Sequence, residues 1–357
     1  MKKVGIMSMQ RVANYGSFLQ AYGLKKMIEE LGYETEFVDY EKGKSLIKKK
    51  KQLLDKIKRN KNPFVVLKRR KIQNELESKY RNEFLPKMGV KETMNYRPND
   101  IDALVIGSDE VFNPVQPDPM GFSKELFGYH YEKIPVISYA ACFGYCKYED
   151  LEAYGIADDV KNMLAKFKSI SVRDENSSKI VNKLLGKPPV INLDPVLMYD
   201  FKEESKESSY NFENYIAIYA YSGRFTKEEI LEIKRIAKKY DKKIVSIGFY
   251  HKFADICVVP DIFEIFDLFK KADFVITDTF HGTIFSIKGG TNFCSIIRST
   301  HSNKLGDLLN RLGLVDRIVK SPNELENKYL NKPNYVEPYR IIDIEKRRTR
   351  DYLRKSL

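Results

Sequence analysis

The chain has 357 residues, with 62 Lys and Arg against 49 Asp and Glu, a formal net charge of +13 and 43% hydrophobic residues. With only 19 Gly and 14 Pro, it is neither collagen-like nor poor enough in apolar residues to stay unfolded. That length predicts two domains and a core that folds without staples. Cys142, Cys146, Cys257 and Cys294 are too few for a disulfide framework and are expected to be reduced thiols of a cytoplasmic protein. No run of 18 apolar residues occurs, so no transmembrane helix is expected, and with a strand pattern starting at once no signal peptide is expected either.

Residues 4–9 predict a strand, 18–31 a helix and 36–40 a second strand. Residues 41–83 then hold 16 Lys or Arg and five acidic residues. Their net of +11 is most of the chain's +13. Leu46, Ile47, Leu53, Leu54 and Ile57 follow helical spacing, and so do Leu67, Ile72, Leu76 and Tyr80 after Pro63. Two amphipathic helices are expected, the proline opening the second. Such a basic insert reads either as a solvated hairpin packed on the body or as a peripheral contact with anionic lipid. No nucleic-acid motif accompanies the charge, so nucleic acid is not an expected partner.

Beyond the insert, strands are predicted at 103–106, 136–139, 169–172 and 190–193, with helices at 158–168 and 175–185. Residues 199–214 read as a polar linker. The alternation resumes with strands at 215–221, 243–249, 274–277 and 292–297. Helices are predicted at 227–240, 262–271, 283–288, 302–312 and 341–357. This βα rhythm predicts an α/β fold with parallel sheets, and two such halves place a ligand site between them.

Four segments carry candidate site residues. Asn14, Tyr15, Gly16 and Ser17 lie at the first βα turn, where Ser17 is expected to cap the helix. Gly16 permits close approach, and the site is either an anion cradle or an ordinary capped turn. Ser108 and Asp109 follow Gly107 at a strand's end, as binding residues or as a structural cap. Arg173 ends an apolar strand; it offers a fork to carboxylate or phosphate, or forms a salt bridge to Asp174 or another acidic neighbour. His281 opens a helix between Thr279-Phe280 and Gly282-Thr283, either as a functional imidazole or as a structural one. His130, His251 and His301 have aromatic or surface settings. No zinc spacing is present, and no metal is expected.

Several of these segments together resemble the polysaccharide pyruvyl transferase family. They are residues 14–24 (NYGSFLQAYGL, with Gln20), 102–113 (DALVIGSDEVFN), 137–144 (ISYAACFG), 171–174 (SVRD) with 193–197 (LDPVL), and 276–286 (ITDTFHGTIFS). The resemblance implies two Rossmann-like domains facing a cleft, as in GT-B proteins, with a basic helical insert at 41–83 in the first. Residues 1–198 would form the acceptor side, and 199–357 the donor side with a C-terminal helix at 341–357.

The implied activity is transfer of pyruvate from phosphoenolpyruvate onto saccharide hydroxyls, as a ketal, in cell-surface polysaccharide biosynthesis. Phosphoenolpyruvate is a co-substrate, with no other cofactor, and the acceptor is free or lipid-linked at the inner face of a membrane. On this reading His281 donates the proton, and Asp109 and Asn14 hold or deprotonate acceptor hydroxyls. Arg173 and the N–H groups of Gly282 and Thr283 clamp the donor. Arg298 or Lys304 adds charge, and Tyr15, Gly16, Ser17, Gln20, Ser108, Thr279 and Phe280 complete the binding residues. The alternatives are a GT-B glycosyltransferase using a sugar nucleotide and a non-catalytic protein that docks on a membrane or partner.

Overall fold

Short apolar runs form the central strands, buried on both faces, in the computed structural model, which describes residues 2–47, 62–298 and 302–357. The first sheet contains β1 (Lys3–Met7), β2 (Glu34–Phe37), β3 (Ala103–Asp109), β4 (Val136–Ala141), β5 (Ser171–Val172) and β6 (Val190–Ile191). Its order is β2-β1-β3-β4-β5-β6, and every pair is parallel. The second contains β7 (Tyr215–Tyr219), β8 (Lys243–Ile247), β9 (Ile256–Val258), β10 (Phe274–Thr277), β11 (Phe293–Ile296) and β12 (Ile318–Val319). It runs β12-β11-β10-β7-β8-β9, again all parallel. Parallel neighbours need crossovers, and the intervening helices supply them. The fold is α/β with two Rossmann-like halves. The edge strands β9 and β12, of three and two residues, are too short for a periodic pattern to announce them.

The first expected helix of the insert falls largely outside the described residues. The second is helix Pro63–Lys79, capped by Asn62, whose side chain accepts from Phe64 N and Val65 N. It runs on through a π turn at Tyr80–Phe84 into Leu85–Met88. Its later part packs inward: Leu76, Tyr80, Phe84 and Met88 are buried, whereas Phe64 is 76% and Leu67 66% exposed. It also joins the two halves. Tyr80 Oη donates to Gln10 O at 2.7 Å on the first, while Lys79 Nζ donates to Val259 O at 2.7 Å and Lys87 pairs with Asp261 on the second.

The C-terminal helix touches both domains. It spans Val336–Ser356 and crosses back to the first domain. Tyr339 Oη donates to Ile287 O near its start, and Tyr352 Oη donates to Ser138 O at 2.8 Å near its end. Tyr352 and Leu353 are buried there. Residues 199–214 also do more than link, since Phe201 is wholly buried and Ser208 N donates to Asp267. No helix among the described residues is long and apolar enough to cross a membrane.

Candidate active site

The carboxyl ends of the strands in both sheets open on one cleft of about 240 Å³. The first half contributes Asn14, Ser17, Asp109, Glu110 and Arg173; the second contributes Tyr219, Tyr221, Phe249, Thr279, Phe280, His281 and Lys304.

Helix Tyr15–Glu29 starts at this cleft, and Asn14, not Ser17, caps it. The Asn14 side chain accepts from Gly16 N at 2.7 Å and Ser17 N at 3.3 Å, which removes those donors from an anion. Ser17 Oγ donates to Asp109 Oδ2 instead, at 3.1 Å. The reason is spacing: an oxygen one residue before the first helical position reaches the N2 and N3 amides, and Asn14 stands there. Asp109 ends β3 with φ 73°, a left-handed backbone that costs a non-glycine residue about 1–3 kcal/mol and persists only where its surroundings enforce it.

Arg173 is almost wholly buried and spans two carboxylates, Asp194 at 2.7 Å and Asp109 at 3.4 Å. Its guanidinium lies 4.2 Å from the centroid of the Phe280 ring. The expected partner Asp174 caps the next helix by accepting from Ser177 N. Asp194 is the centre of the cluster. Its Oδ1 accepts from Val196 N at 3.0 Å, and its Oδ2 takes Arg173 and lies 3.6 Å from His281 Nε2. Burial works to raise the Asp194 carboxyl, but His281 and Arg173 hold it down at about 2. It is therefore a carboxylate at neutral pH, a fixed negative charge behind the imidazole.

His281 lies in the first turn of helix Phe280–Gly289. Thr279 caps that helix, its Oγ1 accepting from Gly282 N at 2.9 Å, while Thr283 N donates to Thr279 O at 3.3 Å. The amides of Gly282 and Thr283, expected to cradle an anion, are thus already used. Lys304, from the same half, also lines the cleft and pairs with Glu110 from the other half. Burial works to lower the Lys304 pKa, but Glu110 leads the charges that push it up to about 12.

Other expected residues lie behind or away from the cleft. Gln20 and Ser108 are wholly buried: Gln20 Oε1 accepts from Ser108 N at 3.0 Å, and Ser108 Oγ donates to Ala140 O. They brace the β3 end. Tyr15 is buried and donates to Pro260 O at 2.8 Å across the interface. Arg298 is not among the cleft-lining residues; Glu229 holds it by two contacts of 2.8 Å. Asp194, Glu110, Tyr221 and Phe249 had no place in the sequence-based site. For Asp194 a signal existed, because an Asp-Pro at a strand end reads as a cap, and here the capping carboxylate has a second oxygen to spare. Among the described residues, no cluster of His, Cys, Asp and Glu could hold a metal ion.

The sequence pattern of the polysaccharide pyruvyl transferase family matches residues 14–300. No curated protein matches the chain. Among solved structures, a UDP-N-acetylglucosamine 2-epimerase is similar at TM-score 0.56 and 10% identity, over 99% of this chain and 95% of that one. The Neisseria meningitidis UDP-GlcNAc 2-epimerase bound to UDP-GlcNAc gives 0.53 and 13%, over 99% and 100%. Arabidopsis thaliana UGT89C1 complexed with UDP-L-rhamnose gives 0.52 and 10%, over 98% and 97%. At these identities the likeness is one of fold, the two-domain GT-B arrangement.

Proposed function

The chain belongs to the polysaccharide pyruvyl transferase family, and we propose that it moves pyruvate from phosphoenolpyruvate onto hydroxyls of a saccharide. The donor is a small anion with a phosphate, a carboxylate and an electron-rich methylene. Protonating the methylene makes the adjacent carbon electrophilic. One acceptor hydroxyl adds there and gives up its proton, replacing the one spent. The carbon–oxygen bond to phosphate then breaks, and a second hydroxyl closes the ketal while its proton leaves with the phosphate. This sequence needs one group that gives and takes a proton, beside fixed cations.

The observation that carries the reading is His281, set 3.6 Å from the Asp194 carboxylate in a cleft that Arg173 and Lys304 also line. Asp194 holds the ring from its Nε2 side. Asp109, held by Ser17 and Arg173, is the base placed for an acceptor hydroxyl. Arg173 and Lys304 are paired with carboxylates, so a bound donor would exchange for Asp109 and Glu110 as their partners. Incubating the protein with phosphoenolpyruvate and defined saccharides, then recording proton NMR of the product, tests the reaction. A new methyl signal marks a ketal; vinyl protons mark a single enol ether.

The nucleotide-sugar glycosyltransferase reading has one observation in its favour, the UDP-sugars named in the similar structures. Thermal-shift titration with phosphoenolpyruvate and with UDP-sugars separates the two, because a ligand that binds only the folded state raises its melting temperature.

The exposed start of helix Pro63–Lys79 supports a peripheral lipid contact for the same enzyme. Phe64, Val66 and Leu67 stand out to solvent, beside the exposed Lys68, Arg70 and Lys71. Apolar side chains among cations suit an anionic membrane surface, where a lipid-linked acceptor would be met.

A further inference from the structure

The cleft has a second lobe. It adjoins the first, sharing Val12, Asn14, Tyr221 and Phe249 as lining residues, and has about 220 Å³ against about 240 Å³. Arg173, His281 and Lys304 line only the first. On one side the second lobe is walled by Arg69 and Gln73 of helix Pro63–Lys79, and on the other by Tyr221, Ser222 and Tyr250 beyond the ends of β7 and β8. Tyr221 and Phe249 meet edge to face with ring centroids 5.1 Å apart, and Asn14 Nδ2 reaches Tyr221 Oη at 3.5 Å.

We propose that this second lobe seats the saccharide acceptor, so that the basic insert forms one wall of the acceptor subsite. A pyranose ring offers an apolar C–H face and a rim of hydroxyls. Aromatic rings flanked by an amide and a hydroxyl complement both features, whereas the ionic first lobe suits the small anion. The shared residues place the acceptor's reacting hydroxyls at the boundary, beside Asn14 and near Asp109. The assignment rests on reading the first lobe as the donor site. It makes helix Pro63–Lys79 a determinant of which saccharide is accepted.

The test uses the full chain, without donor, on an array of oligosaccharides that carry neighbouring diols. Gln73→Ala and Tyr250→Ala should each weaken binding roughly three- to tenfold, the size of one stacking or hydrogen-bonding contact. Tyr250→Phe should keep most of it, and the thermal shift caused by phosphoenolpyruvate should stay unchanged in all three. Binding sensitive to Tyr250→Ala supports the subsite even if phosphoenolpyruvate is not turned over, which separates this proposal from the reaction. If the unaltered protein binds no saccharide on the array, or if Gln73→Ala and Tyr250→Ala bind as it does, the assignment is overturned.

Discussion

Gly16 leaves the space that His281 fills. A Cβ on Gly16 would sit 2.2 Å from both Cγ and Nδ1 of the His281 ring, so the two helices that open on the cleft meet only because one has glycine in its first turn. By helix propensity alone, alanine would be favoured there by about 1 kcal/mol. Gly16→Ala should therefore leave the fold intact and displace the imidazole. A displacement near 1 Å costs about 100-fold in rate, read as kcat with circular dichroism unchanged. Full activity would show that the ring's position is not critical.

Asp194 ties the two halves of the site together. Asp194→Asn removes the charge shared by Arg173 and His281, and breaking a buried pair in this way costs about 3–5 kcal/mol. Its dependence on pH has a definite sign. The folded pKa of about 2 lies below the ordinary 3.8, so the unfolded chain binds the proton first. The carboxylate's contribution is complete above that ordinary value and is lost as pH falls towards about 2. Denaturant titrations should show the gap between wild type and variant narrowing through that window.

His251 predicts a second acid sensitivity, in a less acidic range. It is 4% exposed with Nδ1 2.9 Å from Ser246 Oγ, and burial lowers its pKa from 6.5 to about 4. The unfolded state takes up the proton first, so stability is complete above 6.5 and declines as pH falls towards about 4, by about 3 kcal/mol. His251→Gln should flatten the stability profile in that range. An unchanged slope would place the acid sensitivity elsewhere.

Arg298 serves as the counter-example. Because Glu229 holds it outside the cleft, Arg298→Gln should lower the melting temperature, at a cost of about 0.5–3 kcal/mol, with the KM for phosphoenolpyruvate unmoved. A raised KM would return it to the donor site.

The lipid contact is tested by co-sedimentation with vesicles of anionic and of neutral lipid. Phe64→Asp combined with Leu67→Asp should abolish binding to the anionic vesicles without changing turnover of a free saccharide. Equal sedimentation of wild type and variant would leave the insert as a solvated helix.

The α/β class and most strands were legible because parallel strands buried on both faces appear as unbroken apolar runs. His281, Arg173 and Asp109 stood out because polar groups at strand ends and helix starts break that pattern. What stayed hidden depends on distance in the chain. Asp194 meets His281 from 87 positions away, a contact that no local pattern announces. Nor does charge alone say that Arg298 faces Glu229 while Lys304 faces the cleft. The cap was misplaced onto Ser17 because Asn14 and Ser17 are both capping residues, and only the observed helix start decides between them. The return of helix Val336–Ser356 to the first sheet follows from its buried Tyr352 and Leu353, which chain order cannot locate.

The most direct test of the central claim is phosphate release from phosphoenolpyruvate in the presence of a saccharide acceptor, compared between wild type and His281→Ala. If His281 is the proton donor, release depends on acceptor and falls about 10²–10⁴-fold in the variant, with its fold retained. Release at the full rate by His281→Ala, or no acceptor-dependent release by the wild type with any saccharide it binds, would contradict the account.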